Sequence, residues 1–437
     1  MARRYPLIKR FSWRLEYGGY RLMEAALAIT PLAFIDRMGT AIGFLFYYLS
    51  PHYRALAIRN LRIAYGAEKT AQEIQKLARA TCQRTIANFL GTLKTTILPT
   101  EDVKQHATLQ GDEHLKNALA KGKGAILVLG HMGNWEILNR LHQFLPPNTP
   151  AGGIYQPLKN PLVNAHLLKQ REQDGSKLFN KREGFHAPAS FVKKGGLLIV
   201  VADQKVGRAG VPIPFFGRLS SLSPLPALLA RKANSPIIAA GIETTEPGHW
   251  QIVFSPLPDR SQTEDITSNL EQLIRRSPAD YLWLHNRWKL DRHSPLSISG
   301  KKKNKPSSPT TPLRILIVTS REPEPNSLLT FLAQRHPQDI PLAFEYLIIR
   351  PQVKQNPDFP KFPIHQIIAP TPEQLTAQIK VIDLQNPRPL EAAIIETPSS
   401  DLKKALAFTS LPRTLINKDE LPLSEFLVTL SASSSDN

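Results

Sequence analysis

Short, unbroken apolar runs punctuate the middle of the chain at Ala125–Leu129, Leu197–Ala202 and Pro236–Ile242. Each is too short for an ordinary helix and is bounded by Gly, Pro or polar residues, the pattern of a strand buried on both faces. Ala151–Tyr155 and Trp250–Phe254 predict two more strands. Between them the period lengthens. Trp135, Leu138, Leu141 and Leu145 share one helical face behind Asn134, a good N-cap, and a second helix is predicted over Pro161–Arg171. Strands alternating with helices predict an α/β fold.

The N-terminal end reads differently. Ala25–Ile35 is apolar, Asp36-Arg37 interrupts it, and Met38–Leu49 is apolar again. Neither run reaches the roughly 20 residues that span a bilayer. Joining them would bury two charges at a few kcal/mol each. The expectation is two helices lying on or dipping into a membrane interface, with an ordinary buried helical hairpin as the alternative. Met1-Ala2-Arg3-Arg4 is basic, but no small-residue cleavage site follows a compact apolar core, so a secretory signal peptide is not expected.

After residue 292 the composition changes. Lys301–Lys305, followed by Pro306-Ser307-Ser308-Pro309, reads as a polar, basic, proline-rich linker. A second alternation then begins. Strands are predicted at Leu313–Ser320, Ala343–Arg350, Ile364–Ile368 and Ala392–Glu396, with helices at Ser327–Arg335, Pro372–Ile382 and Leu402–Phe408. This is a small parallel-sheet domain, Rossmann-like in pattern. Thr319-Ser320-Arg321-Glu322-Pro323 after its first strand is not a phosphate-binding glycine loop. The expected domains are therefore a membrane-associated helical region over 1–66, a main α/β domain over 67–292, a linker over 293–312, an accessory domain over 313–430 and a disordered polar tail over 431–437.

Charge narrows the class of partner. The 437 residues hold 55 Lys+Arg against 36 Asp+Glu, a net charge of +19. Residues 1–66 alone carry ten basic against three acidic residues, beside their apolar runs. That bias suits an anionic membrane surface or an acidic protein. No helix-turn-helix, zinc finger or RNA-recognition signature supports nucleic acid. Cys82 is the only cysteine, which excludes a disulfide framework and cysteine-rich zinc sites and favours a reducing compartment.

The run Ala125–Leu129 ends in Gly130-His131, and Glu136 follows where the helix begins. Of the twelve histidines, His131 alone has an acid five positions on. A neutral imidazole can accept an alcohol proton near pH 7, and a carboxylate on its far nitrogen fixes the tautomer. No G-x-S-x-G elbow supplies a nucleophile. The simplest chemistry is direct attack by a substrate hydroxyl, with His131 as general base and Glu136 as its partner. No H-E-x-x-H zinc pattern is present, and no metal is expected.

The segment from His131 to Glu136 resembles the H-x4-E block of the lipid A late acyltransferases. Further blocks follow in that family's order. Tyr155-Gln156-Pro157-Leu158-Lys159-Asn160-Pro161 resembles its Y-R-P-x-x-N-P segment, with Gln156 where many members have arginine. Val200-Val201-Ala202-Asp203-Gln204 resembles its L-x-D-Q strand end. Pro214-Phe215-Phe216-Gly217 resembles its P-F-F-G loop, and Ala279–Lys289 its Q-Y-L-W-x-H-x-R-W-K block. The resemblance covers roughly residues 10–292. The C-terminal part faintly resembles half of a heptosyltransferase-type glycosyltransferase.

The resemblance implies a lysophospholipid-acyltransferase-like mixed sheet flanked by helices. It implies acyl transfer from an acyl-carrier-protein or CoA thioester to a hydroxyl of a lipid A precursor, with no further cofactor. The site would sit at the cytoplasmic side of the inner membrane, on a peripheral or monotopic protein. Arg171, Asp203, Gln204 and Asn134 become candidate substrate-binding or oxyanion residues, with Asp203 orienting Arg171 or bonding a sugar. Arg171 also reads as a surface helix charge. Phe215 and Phe216 either line an acyl groove or pack a core. The rival readings are an acyltransferase for another membrane lipid, such as a phosphatidylinositol mannoside, and a non-catalytic membrane scaffold.

Overall fold

The computed structural model describes residues 6–144, 146, 149–206, 210–288, 312–320, 342–350, 363–368, 370–390, 392–395 and 413–415. The expected helices at Ser327–Arg335 and Leu402–Phe408, and nearly all of the linker and tail, lie outside the described residues.

Five helices come first: α1 Leu7–Ile29, α2 Leu32–Leu49, α3 Pro51–Tyr65, α4 Ala71–Ile97 and α5 Thr100–Gln105. The alternation follows as β1 Ala107–Gln110, α6 Asp112–Ala120, β2 Ala125–Leu129, a 3₁₀ segment Trp135–Phe144, β3 Ala151–Tyr155, α7 Pro161–Glu172, β4 Lys177–Asn180, α8 His186–Lys193 and β5 Leu197–Val201. Next come the hairpin β6 Val211–Phe215 and β7 Arg218–Leu222, then α9 Leu225–Ala233, β8 Ile237–Glu246, β9 His249–Pro256 and α10 Thr263–Arg276. The last elements are β10 Leu313–Thr319, β11 Leu342–Arg350, β12 Ile364–Ile368, α11 Pro372–Leu384, β13 Ala392–Ile395 and β14 Arg413–Leu415.

The expected α/β class is borne out. Among the described residues, seven strands form a mixed sheet in the order β1-β9-β8-β2-β5-β3-β4, in which β8 and β9 pair antiparallel. All five residues of β2 are buried, because β2 lies between β5 and β8 and helices cover both faces. Leu127 and Leu129 point to the side packed by Leu115, Ala118, Ile137 and Leu138. Ile126 and Val128 point to the side packed by Val192, Ala227, Leu229 and Leu270. The continuous apolar run is thus the signature of a strand with no wet face.

The first break falls elsewhere than expected. Asp36-Arg37 does not interrupt a helix; α2 runs through it, and the chain turns instead at Thr30-Pro31. Proline disfavours helical backbone at the residue before it and starts the next helix cleanly. Asp36 is tolerated because Arg84 of α4 grips its carboxylate from two nitrogens at 3.1 and 2.6 Å. The two helices also approach closely. A Cβ at Gly43 would lie 2.5 Å from the Cys82 carbonyl, and one at Gly39 would lie 2.6 Å from Ala87 Cα. By length and composition α2 is long and apolar enough to cross a membrane. Its Asp36 face, however, is packed on protein.

The compact units do not follow sequence order. One comprises residues 1–54, 77–204 and 222–285, the other 55–76, 205–221 and 286–437. In the second unit β12-β11-β10-β13-β14 form a parallel sheet, and Leu375, Ile379 and Ile382 of α11 pack on it. Within the same unit Arg62 of α3 clasps the end of α11. Its nitrogens donate to Asp383 Oδ2 at 2.5 Å, the Asp383 carbonyl at 2.7 Å, the Asn386 carbonyl at 2.8 Å and the Pro387 carbonyl at 3.2 Å. A guanidinium fork at a helix C-terminus satisfies carbonyls that the helix leaves without partners.

Candidate active site

His131 and Asp203 meet because of strand register. In the β2–β5 ladder Leu129 pairs with Val201, and the Ala202 amide donates to the Leu129 carbonyl at 2.9 Å. Two residues past that pair, on adjacent parallel strands, stand His131 and Asp203. His131 Nδ1 lies 2.5 Å from Asp203 Oδ1, in a pocket that leaves the carboxylate almost fully buried. The second oxygen, Oδ2, accepts the Tyr281 hydroxyl at 2.9 Å. Both carboxylate oxygens are therefore engaged.

The loop carrying His131 is held from behind by the segment that supplies Tyr281. The Leu282 amide donates to the His131 carbonyl at 2.9 Å, and the Gly133 amide donates to the Asp280 carbonyl at 3.0 Å. Gly133 has φ +56°, and a Cβ there would meet the Ile242 carbonyl at 2.5 Å, so the turn requires glycine. Asp280 is itself fixed by Asn88, Thr244 and Ser277. The Trp135 ring stands edge-on to the imidazole, with centroids 5.2 Å apart.

The expected pairing of His131 with Glu136 is corrected. Glu136 sits in the first turn of the 3₁₀ segment, and its carboxylate turns to Arg171. Arg171 Nε donates to Glu136 Oε2 at 2.9 Å and Nη2 to Oε1 at 2.5 Å, while Asn139 Nδ2 donates to Oε2 at 2.6 Å. A two-pronged arginine contact is the strongest geometry open to a carboxylate. Arg171 lies one residue from the end of α7, as the sequence predicts, but its partner is Glu136 and not Asp203.

Asn134 also differs from expectation. It is completely buried, with Oδ1 accepting from Thr92 Oγ1 at 2.9 Å and Nδ2 donating to Thr95 Oγ1 at 3.0 Å. Its side chain ties the site to α4 and neither caps the following segment nor faces a ligand. Gln204 does reach the imidazole: its Nε2 lies 3.2 Å from His131 Nε2. In the tautomer that donates Nδ1–H to Asp203, Nε2 accepts from this amide. Gln156 accepts a hydrogen bond from Lys181 Nζ, which sets a cation beside it.

Phe215 and Phe216 are buried in the second unit. Phe216 packs on Tyr65 at 5.4 Å between centroids, Phe215 packs on Trp288 at 5.9 Å, and the Arg287 guanidinium lies 4.0 Å above the Phe215 ring. Tyr281 is the residue that sequence reasoning missed. It was legible only as part of a motif, with no signal that its hydroxyl serves Asp203.

An imidazole with one nitrogen fixed by a buried carboxylate and the other beside an amide donor is equipped to take a proton from a hydroxyl. Comparison with known proteins agrees. The sequence profile described as bacterial lipid A biosynthesis acyltransferase matches residues 10–290. A lipid A biosynthesis acyltransferase of Haemophilus influenzae is 22% identical over 290 residues, covering 64% of this chain and 89% of that protein. The lipid A biosynthesis lauroyltransferase of Escherichia coli is 22% identical over 298 residues, covering 64% of this chain and 96% of that protein. A phosphatidylinositol mannoside acyltransferase of Mycobacterium tuberculosis is 24% identical over 191 residues, covering 41% of this chain and 60% of that protein. The chain is an O-acyltransferase and belongs to the bacterial lipid A biosynthesis acyltransferase family.

Proposed function

We propose that this enzyme moves a fatty acyl chain from a thioester of acyl carrier protein or CoA to a hydroxyl of a lipid A precursor. The observation that carries the chemistry is the 2.5 Å contact from His131 Nδ1 to Asp203, which orients Nε2 as the base. The acceptor oxygen attacks the thioester carbonyl carbon as its proton passes to His131 Nε2. The tetrahedral oxyanion is met by donors nearby, with the Gln204 amide and the Arg171 guanidinium as candidates. The C–S bond then breaks, and the imidazolium returns the proton to the departing thiolate. Asp203 stabilises the imidazolium throughout, and Glu136 holds Arg171 in place.

The acceptor is a membrane lipid, and the chain carries a surface suited to one. Leu7, Ile8, Phe11, Leu15, Leu22 and Ile29 of α1 and Phe34, Phe44, Leu45 and Leu49 of α2 are exposed. Basic residues flank them, as an anionic leaflet requires. We place the enzyme on the cytoplasmic face of the inner membrane as a monotopic protein. The net charge of +19 would also attract an acidic acyl carrier protein.

The test is acyl transfer by the purified full chain, read by mass spectrometry. Tetra-acylated lipid A precursor and a phosphatidylinositol mannoside are offered separately with lauroyl-acyl carrier protein and lauroyl-CoA. Acylated lipid A precursor supports the proposal. Transfer to the mannoside alone overturns the acceptor, and transfer to neither overturns the reaction.

A further inference from the structure

Helix α7 carries Arg171, yet none of its residues is buried. Seven of its twelve residues are half-buried, so polar contacts weigh heavily beside a modest apolar packing. Those contacts run to α1. Asn160, just before α7, accepts from the Leu162 and Val163 amides at 3.0 and 3.4 Å. Its own amide donates to the Trp13 carbonyl at 3.0 Å and to Glu16 Oε2 at 2.9 Å. Further along, His166 Nε2 lies 3.0 Å from Glu24 Oε1, and Gln170 donates to the same carboxylate. The Tyr17 and Tyr20 rings stand edge-on to His166 at 5.8 and 5.6 Å. Arg171, the next residue, points to Glu136.

Helix α1 is correspondingly two-sided. Trp13, Tyr17, Tyr20, Glu24 and Leu27 alternate at spacings of three and four and form the stripe turned toward protein. The Tyr20 phenol is raised to about 12, first by burial and then by Glu24, while Arg171 pulls it the other way. The inner stripe of α1 therefore lies within the field of the active-site ion pair. The outer stripe repeats every seven residues at Ile8, Leu15, Leu22 and Ile29, all exposed. Arg10, Arg14 and Arg21 flank it and are exposed too. Both acids of α1, Glu16 and Glu24, bond groups on or beside α7; Glu24 also pairs with Arg21 at 2.8 Å, so Arg10 and Arg14 carry the positive charge of the outer rim.

We propose that an anionic lipid surface, by seating the outer stripe of α1, sets the position of α7 and so assembles the Arg171–Glu136 pair. This rests on the reading of α1 as a lipid-facing helix. Glu24 and His166 are then positioning residues that act through Arg171. The enzyme is competent at the membrane, where its acceptor lies, and slack in solution, where a thioester would be lost to water.

The experiment uses the full chain with vesicles of equimolar phosphatidylglycerol and phosphatidylcholine, without acceptor lipid. Amide hydrogen exchange is followed over residues 161–172, beside vesicle sedimentation. In the wild type, exchange should slow by roughly tenfold or more on binding. In Leu15→Glu, sedimentation and slowing should both be lost. In Glu24→Ala and His166→Ala the protein should still sediment, but α7 should no longer respond. A wild type that sediments with unchanged α7 exchange overturns the coupling and leaves the lipid-facing reading standing. A wild type that does not sediment overturns that reading. A wild-type response in the Glu24→Ala protein also overturns the coupling.

Discussion

Asp203 stands 72 residues beyond His131 and holds its Nδ1 at 2.5 Å, whereas Glu136, five residues on, is bound to Arg171. The carboxylate that holds the imidazole is thus the one brought by the neighbouring strand. Asp203→Asn retains the shape but offers an amide that can donate to Nδ1 and so select the wrong tautomer. Turnover should fall roughly 10³- to 10⁴-fold with the fold intact. Glu136→Gln should lose much less. Steady-state rates beside circular dichroism check both, and equal losses would return Glu136 to the base.

The Arg171–Glu136 pair should behave as a unit. Removing either partner leaves the other with an uncompensated charge in a half-buried site. Arg171→Ala and Glu136→Gln should each lower kcat/KM, and the double variant should cost little more than the worse single one. A coupling energy of about 1–3 kcal/mol from the double-mutant cycle is expected. Strict additivity would show that the two act separately.

Tyr281 donates to the same carboxylate that holds His131. Tyr281→Phe deletes that hydrogen bond while keeping the ring. A bond to a charged group is worth about 1.5–3 kcal/mol, so kcat should drop by roughly tenfold or more while KM stays put. A change confined to KM would place the hydroxyl on substrate instead.

Glu345 in the C-terminal sheet gives a pH dependence. Burial pushes its carboxyl up, but the His365 ring 3.4 Å away and the hydrogen bond from Arg314 outweigh that and hold it below its ordinary value. A carboxyl depressed in the folded state contributes stability that is present above its unfolded pKa, about 4.3, and is lost as pH falls through the lower folded value. Acid titration of the full chain, followed by a fluorophore on the C-terminal part, should show loss of structure in that window. Glu345→Gln should flatten that dependence.

Much of the sheet was legible because a strand buried on both faces leaves an unbroken apolar run, as at Ala125–Leu129 and Leu197–Val201. His131 and Asp203 each follow such a run by two residues, and that shared offset was the signal for their contact. It could be used only with the strand order and register, which arise from packing between distant segments. Sequence proximity favoured Glu136 instead. The hidden placement of Asp36 was likewise unreadable, since Arg84 lies 48 residues away on another helix. Asn134 looked like a cap because its preference for that position is local, while Thr92 and Thr95 reach it only in the folded chain.

Three of the four hydrogen bonds from Arg62 end on main-chain oxygens, and only Asp383 contributes a side chain. Main-chain oxygens are common to all amino acids. The seat therefore recognises the shape of a turn more than its spelling. The C-terminal domain is free to diverge over most of its surface without losing its hold on α3, provided that an acid persists at position 383 and the turn after it keeps its course.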